Sequence, residues 1–258
     1  MIVTTSGRPD DKLTQYARHI ADVLDTSFYK RNKRSVADIK KEVLDHVIVV
    51  GKNRLELHFL NEDSPLFFHP NSAVFRIKRL MKGEGDPFCE ACNLQPADKL
   101  LDCTLGLGSD SIVGSYIVGK QGLVMGIEGS KIMSYLVHNG LKQWETGSTL
   151  IDEAMRRVVV LHQDHLAYLK SCEDHSFDVV YFDPMFEETI EGSTGITPLK
   201  NIANYSPLLV ETITEAKRVA KKRVVLKDHW KSTRFEQFQF KVKIRKSAKF
   251  HYGVIELS

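Results

Sequence analysis

Leu100-Leu101-Asp102-Cys103-Thr104-Leu105-Gly106-Leu107-Gly108-Ser109-Asp110-Ser111 reads as a buried strand that runs into a glycine turn and then a helix. Glycine at 106 and 108 lets backbone approach a ligand where a Cβ would collide, and a helix opening near Ser109 presents unpaired N–H groups. Glu128 stands 20 residues after Gly108, at the end of a second apolar run, Leu123-Val124-Met125-Gly126-Ile127. In a βαβ unit an acid at that place accepts hydrogen bonds from ribose hydroxyls. Ser111 replaces the third glycine of the dinucleotide fingerprint, so the segment points to a nucleotide-type ligand without naming it. The competing reading is a glycine turn that binds nothing, with Glu128 a solvated acid.

A second motif lies further on. Asp178-Val179-Val180-Tyr181-Phe182 is an apolar run that ends in Asp183-Pro184-Met185-Phe186, so an acid, a proline and an aromatic leave the carboxyl end of a strand together. In open α/β sheets ligands sit at that edge. An ordinary Asp-Pro turn with a core phenylalanine is the structural alternative.

From residue 99 onward apolar strands alternate with amphipathic helices: strands at 99–104, 122–127, 157–162, 177–183 and 223–227, helices at 109–118, 130–144, 165–171 and 205–220. That spacing predicts a doubly wound α/β sheet, parallel and covered by helices on both faces. The last two strands, Phe238 to Ile244 and Phe250 to Leu257, are joined by too few residues for a helical crossover and are expected to pair as an antiparallel hairpin. A break near Lys82–Pro87 separates this domain, 87–258, from a small N-terminal α+β unit, 1–86. The unit should hold a strand at Ile2–Thr5, a helix from Asp10 to Leu24, a hairpin from His46 to Phe59, and a helix over Asn71–Met81. In that last helix Val74, Ile77, Leu80 and Met81 are expected inward, with Arg76, Lys78 and Arg79 outward.

At 258 residues, 42% hydrophobic and 27% charged, the chain can bury a substantial core and is not a disordered or collagen-like sequence. No apolar run approaches the ~20 residues that cross a bilayer, and the first residues lack a signal peptide's pattern, so no membrane partner and a cytoplasmic location are expected. Four cysteines then suggest reduced thiols. Cys89 and Cys92 make an isolated C-x-x-C with no second pair, and His162-Gln163-Asp164-His165 suits adenine contacts or helix capping better than metal, so no metal is expected. The formal charge of +3 hides an asymmetry: from Lys217 onward 13 Lys/Arg face three acids, while from Glu145 to Glu191 there are 11 acids against three cations. The basic tail and Lys30-Arg31-Asn32-Lys33-Arg34 favour a polyanion, nucleic acid first, against the alternative of solvated strand faces.

Residues 102–110, 181–186 and Lys222-Arg223-Val224-Val225-Leu226-Lys227 resemble, in order and spacing, the J-type small-subunit ribosomal RNA guanine-N2 methyltransferases and their relatives. The resemblance covers about residues 97 to 230. It implies a seven-stranded class I sheet, mostly parallel with a C-terminal antiparallel hairpin, and S-adenosylmethionine as cofactor. Carried over by position, cofactor contacts fall on Ser109 and Asp110, on Glu128 and Gly129, on Asp164 and His165, and on Asp183, beside Asp102, Gly106 and Gly108 of the turn. Two positions depart from the family: Ser109 stands where it has arginine, and an acidic run, Glu187-Glu188-Thr189-Ile190-Glu191, follows Phe186 where relatives that modify ribosomal RNA are basic.

The chemistry that the resemblance implies is N-methylation of an exocyclic base amine, ribosomal RNA guanine N2 foremost, as a step of ribosomal RNA processing. Asp183 and the Pro184 carbonyl would accept from the amine, Phe186 would stack on the base, and Asp164 would accept from adenine unless it only caps a helix. Asp102 would bond turn amides or the cofactor ammonium. Lys227 is read either as touching a substrate phosphate or as solvated. Other readings are a methyltransferase of a protein or small molecule, a non-catalytic RNA-binding relative, and a nicotinamide dehydrogenase, against which the antiparallel ending and the tetrapeptide at 183 argue. Oligomeric state is not encoded legibly.

Overall fold

The structure, a computed structural model, describes residues 1–184, 208–245 and 248–257 of the chain. It divides into two compact units between His69 and Pro70. Among the described residues no helix is long and apolar enough to cross a membrane.

In the first unit, strands β1 (Ile2–Thr5), β2 (Ser27–Phe28), β3 (Val47–Val50) and β4 (Leu55–His58) form a sheet of order β2-β1-β3-β4. β1 runs parallel to both its neighbours, and β3 and β4 make the expected hairpin, closed where the Gly51 N–H donates to the Arg54 carbonyl at 3.0 Å. Helix α1 (Asp11–Leu24) starts at Asp10, whose carboxylate accepts from the Leu13 N–H at 2.8 Å, and buries Leu13, Ala17, Ile20, Ala21 and Leu24. A helix that the periodicity did not suggest, α2 (Val36–Val43), opens on a capping box between Ser35 and Asp38. Part of the basic cluster is consumed by folding. The Arg31 guanidinium donates to the Thr5 and Arg34 carbonyls at 3.0 and 2.9 Å, while Arg34 pairs with Glu42 and lies over the Tyr29 ring.

The second unit carries helices α3 (Asn71–Met81), α4 (Pro87–Cys92), α5 (Ser109–Val118), α6 (Lys131–Gln143), α7 (Thr149–Arg157), α8 (His165–Ser171), α9 (Val210–Val219) and α10 (Arg234–Gln237). Its strands are β5 (Lys99–Asp102), β6 (Leu123–Glu128), β7 (Val159–His162), β8 (Phe177–Phe182), β9 (Ala220–His229), β10 (Lys241–Lys243) and β11 (Phe250–Glu256). They form one sheet in the order β10-β11-β9-β8-β5-β6-β7. β5 through β9 are parallel, and β11 enters antiparallel between β9 and β10. β8 is buried along nearly its whole length, as a central parallel strand covered on both faces must be. One face packs Leu101, Val180, Phe182, Val224 and Leu226 against Leu169, Ile213 and Ala216 of the helices.

β5 pairs with β6 on one side and β8 on the other, so the winding direction reverses at β5. Its carboxyl end is the crevice where such sheets hold ligands. The sequence pattern missed α7, which takes Arg157 from the expected third strand, because its hydrophobic stripe lies close against that strand's apolar run.

Helix α3 corrects a sequence expectation. Arg76 does not point outward, and Met81 is not inward but exposed. Arg76 donates from Nε and Nη2 to both oxygens of Asp86 at 2.8 Å, and from Nη1 to Asp110 Oδ1 at 2.5 Å. Asp86 in turn caps α4 by accepting from the N–H groups of Phe88 and Cys89. These bonds tie α3 to α4 and α5, although the sequence pattern assigns α3 to the N-terminal unit. Arg76→Ala removes, among the described residues, the one cation on buried Asp86 and one of the two on buried Asp110 and should cost about 3 kcal/mol of stability, measured by urea unfolding; a loss under about 1 kcal/mol would show that the tie is weak.

Candidate active site

The glycine turn bends as its residues require. Gly106 and Gly108 have φ of +50° and +76°, a region that charges any side chain a steric penalty. The Leu105 N–H donates to the Ile127 carbonyl at 3.0 Å, seating the turn on the end of β6. Asp102, buried at the end of β5, accepts from the Thr104 N–H at 3.1 Å and from the Ser111 hydroxyl at 2.7 Å. It is therefore an anchor of the turn. Burial, with the nearby Asp110 and Asp183 charges, pushes its carboxyl up to about 7, against the pull of the Ser111 and Thr104 hydrogen bonds.

Glu128 at the end of β6 accepts from the Ser130 N–H at 2.9 Å and faces the Gly106 N–H; burial pushes its carboxyl upward. At the end of β7, the Gly129 carbonyl meets His162 Nε2 at 3.2 Å, and Asp164 caps α8 by accepting from the Ala167 N–H at 2.9 Å. Burial pushes the His165 imidazole pKa down, with Asp164 opposing.

Strand β8 delivers the third edge. The Asp183 N–H donates to the Thr104 hydroxyl at 2.6 Å, so the tetrapeptide at 183 begins against the glycine turn. Asp183 Oδ2 receives Lys227 Nζ at 2.5 Å, and 26% of the Asp183 side chain is still accessible, enough for a substrate atom to reach it. Lys227 also reaches Asp110 Oδ2 at 3.3 Å, where the Tyr181 hydroxyl donates at 2.8 Å. Both sequence readings of Lys227 are thus replaced: it is neither solvated nor aimed at a phosphate, but is a buried link between two carboxylates. Burial opposes its charge, but Asp110 and Asp183 raise its pKa further. Asp110 is likewise held well below the usual carboxylate range, against burial, by Lys227 and Arg76. Burial pushes the Asp183 carboxyl up, and Lys227 is the group that pulls it back.

Asp102, Gly106, Gly108, Glu128 and Asp183 thus come together at one sheet edge. Asp110, expected among the cofactor contacts, spends its oxygens on Arg76, Tyr181 and Lys227. Phe186 lies outside the described residues; Pro184 is within them. Arg76, Thr104 and Tyr181 escaped the sequence reading. Tyr181 was detectable, since a tyrosine in an otherwise apolar central strand needs a partner for its hydroxyl.

Two buried polar atoms at this edge, Ser109 Oγ and His165 Nε2, have no hydrogen-bond partner among the described residues, and α5 begins without a side-chain cap. Unsatisfied donors and acceptors around a glycine cradle fit an adenosine-type ligand. Acidic side chains at Glu128 and Asp183 suit a ligand that carries positive charge.

Comparison with known proteins identifies the ligand. The profile of a family described as "Putative SAM-dependent methyltransferase" matches residues 32–252. The chain belongs to this family. It is a class I enzyme that uses S-adenosylmethionine, as the resemblance implied. The chain is 48% identical over 257 residues to the uncharacterized protein YpiP of Bacillus subtilis (strain 168), covering 100% of each. It is 30% identical over 115 residues to a ribosomal RNA small subunit methyltransferase J of Acinetobacter baylyi, covering 44% of this chain and 41% of that relative. A solved SAM-dependent methyltransferase from Neisseria gonorrhoeae superposes with a TM-score of 0.64 at 14% identity, over 99% of this chain and 96% of that one, which establishes the fold. Among the described residues no cluster of His, Cys, Asp or Glu is arranged to hold a metal ion.

The raised Asp102 carboxyl has a consequence for stability. An unfolded aspartate loses its proton near pH ~3.9, whereas the folded state keeps this one until about 7. Its contribution is complete below the unfolded value and is lost as pH rises toward the folded one. From about pH 5 to about pH 8 the protein should lose roughly 2–3 kcal/mol more than Asp102→Asn does. Parallel pH profiles in urea unfolding would show an ionised Asp102.

Proposed function

We propose that this enzyme methylates an exocyclic amino group of an RNA base, with guanine N2 of small-subunit ribosomal RNA the favoured target. The reading is carried by Asp183 at the end of β8, whose backbone N–H donates to the Thr104 hydroxyl of the glycine turn and whose partly accessible carboxylate is gripped at one oxygen by Lys227. The names of the J-type relatives and the basic balance of the chain after Lys217 support the same substrate class.

When bound, S-adenosylmethionine supplies a methyl group on a cationic sulfur. On this reading the Glu128 carboxylate holds the ribose, Asp164 and His165 lie against the adenine, and Asp102 keeps the turn in shape. Ser109 Oγ and Gly129 complete the cradle. A base amine is a poor nucleophile because its lone pair is delocalised into the ring. Asp183 Oδ1 and the Pro184 carbonyl accept its two N–H bonds, which favours a pyramidal nitrogen whose lone pair faces the methyl group. They also stabilise the positive charge that grows on nitrogen as the new bond forms. Lys227, through Oδ2, offsets the burial that raises the Asp183 pKa and fixes the carboxyl group in orientation.

The acidic run Glu187-Glu188-Thr189-Ile190-Glu191 favours a second reading, a protein or small-molecule amine as acceptor. The two part in one experiment: transfer of labelled methyl to ribosomal RNA from a strain that lacks the gene, followed by mass-spectrometric mapping. Label on a guanine of the small-subunit RNA is expected; no label on RNA, with S-adenosylmethionine bound, would sink the RNA reading.

Asp183→Asn should lower kcat by about 10²–10³ while the dissociation constant for S-adenosylmethionine stays within a few-fold, since the lost charge acts on the reacting nitrogen. Glu128→Ala should do the reverse, weakening cofactor binding by roughly 10–100-fold in calorimetry, the worth of hydrogen bonds to a charged group.

A further inference from the structure

Beyond Lys227, strand β9 carries an aromatic and cationic ledge that the transfer chemistry does not use. Trp230, the first residue after β9, is 52% exposed, although its backbone is fixed by a hydrogen bond from its N–H to the Lys249 carbonyl at 3.2 Å. Lys231 Nζ lies 5.1 Å from the Trp230 ring centroid. Phe250, paired with His229 across the strands, is bracketed by Lys227 Nζ at 5.1 Å and the Arg245 guanidinium at 4.9 Å. Arg245 Nη1 is buried with no hydrogen-bond partner among the described residues.

Of the three acids after Lys217, Glu236 is exposed and the other two are held by partners. Asp228, the acid within the same stretch, is fully buried and held by Arg234 at 2.7 Å and Ser232 at 2.7 Å. Glu256 is paired with Arg223. An indole face and cations on one edge are the two components that sequence-tolerant single-strand binders combine: stacking for the base, charge for the phosphate. Three residues of extended chain separate Trp230 from Lys227, roughly 10 Å beyond the clamp on Asp183 along the strand.

We infer that Trp230, with Lys231 on its ring, Lys249 beside its backbone and Arg245 on the neighbouring Phe250, is a stacking ledge for an unpaired nucleotide of the substrate RNA, close to the one that is modified. The inference rests on the RNA reading of the active site. Trp230 takes a base on its exposed face, and Lys231 and Lys249 neutralise the adjoining phosphates. The ledge thus holds the strand on the carboxyl edge of the sheet, within reach of Asp183.

The chain has two tryptophans, Trp144 and Trp230, so the full-length Trp144→Phe variant reports Trp230 alone. Titration with a fluorescein-labelled single-stranded oligoribonucleotide of about a dozen nucleotides should quench its emission. Adding Trp230→Ala should weaken binding, followed by anisotropy, roughly 5- to 100-fold, the range of one base–aromatic stack, whereas Trp230→Phe should stay within a few-fold. Lys231→Ala should lower the salt dependence of binding by about one ion. Unchanged affinity in Trp230→Ala, or binding without quenching, overturns the ledge, and so does a parent that binds no RNA. Methyl incorporation into ribosomal RNA, measured in parallel, separates the two claims. Incorporation with unchanged Trp230→Ala affinity leaves the RNA reading standing without the ledge. Quenching and loss of affinity with no incorporation shows that Trp230 stacks on single-stranded RNA but overturns both the reading of the active site and the ledge as a contact to its substrate.

Discussion

The site depends on a buried chain of charge. Arg76 bridges Asp86 and Asp110, and Lys227 bridges Asp110 and Asp183, with the Tyr181 hydroxyl on Asp110 at the centre. Each carboxylate would be costly to bury alone, and each cation equally so; together they satisfy one another across α3, α5, β8 and β9. Such an arrangement adds little net stability over an apolar core of the same shape. What it supplies is orientation: a carboxylate gripped at one oxygen keeps the other aimed.

The sheet makes this grip possible. Parallel pairing sets Phe182 against Leu226, so Asp183 and Lys227 emerge side by side from adjacent strands at the same edge. The reversal of winding at β5 opens the crevice next to them, where the glycine turn, Glu128 and the start of α8 converge. Thr104 connects the two halves, its hydroxyl accepting from the backbone of Asp183. Asp183 and the glycine turn are therefore parts of one hydrogen-bonded unit. The same edge continues along β9 to Trp230, where the chemistry changes from buried ion pairs to an exposed ring among cations.

Much of this was readable in advance from local pattern. Strong alternation gave the parallel strands and the antiparallel ending, because parallel strands covered on both faces are continuous apolar runs and a short link cannot cross a sheet. Helix α7 was missed because its buried residues Ile151, Ala154 and Met155 adjoin an apolar run that reads as one long strand start. Arg76 was misassigned for a different reason. Its helical position is compatible with either face, and the partners that draw it inward, Asp86 and Asp110, are 10 and 34 residues away. The cluster at 30–34 looked like a free polyanion site until Arg31 and Arg34 were found holding their own unit together.

The sequence alone determined the fold class, the glycine turn, the acid after the second strand and the tetrapeptide that starts at Asp183, since each is written in adjacent residues or in a fixed spacing. Only the tertiary structure decided which charges neutralise which. Lys227 lies 44 residues from Asp183 and 117 from Asp110, and nothing local distinguishes it from the many other lysines of a basic tail. Strand order sets that partnership, and strand order is a property of the whole sheet.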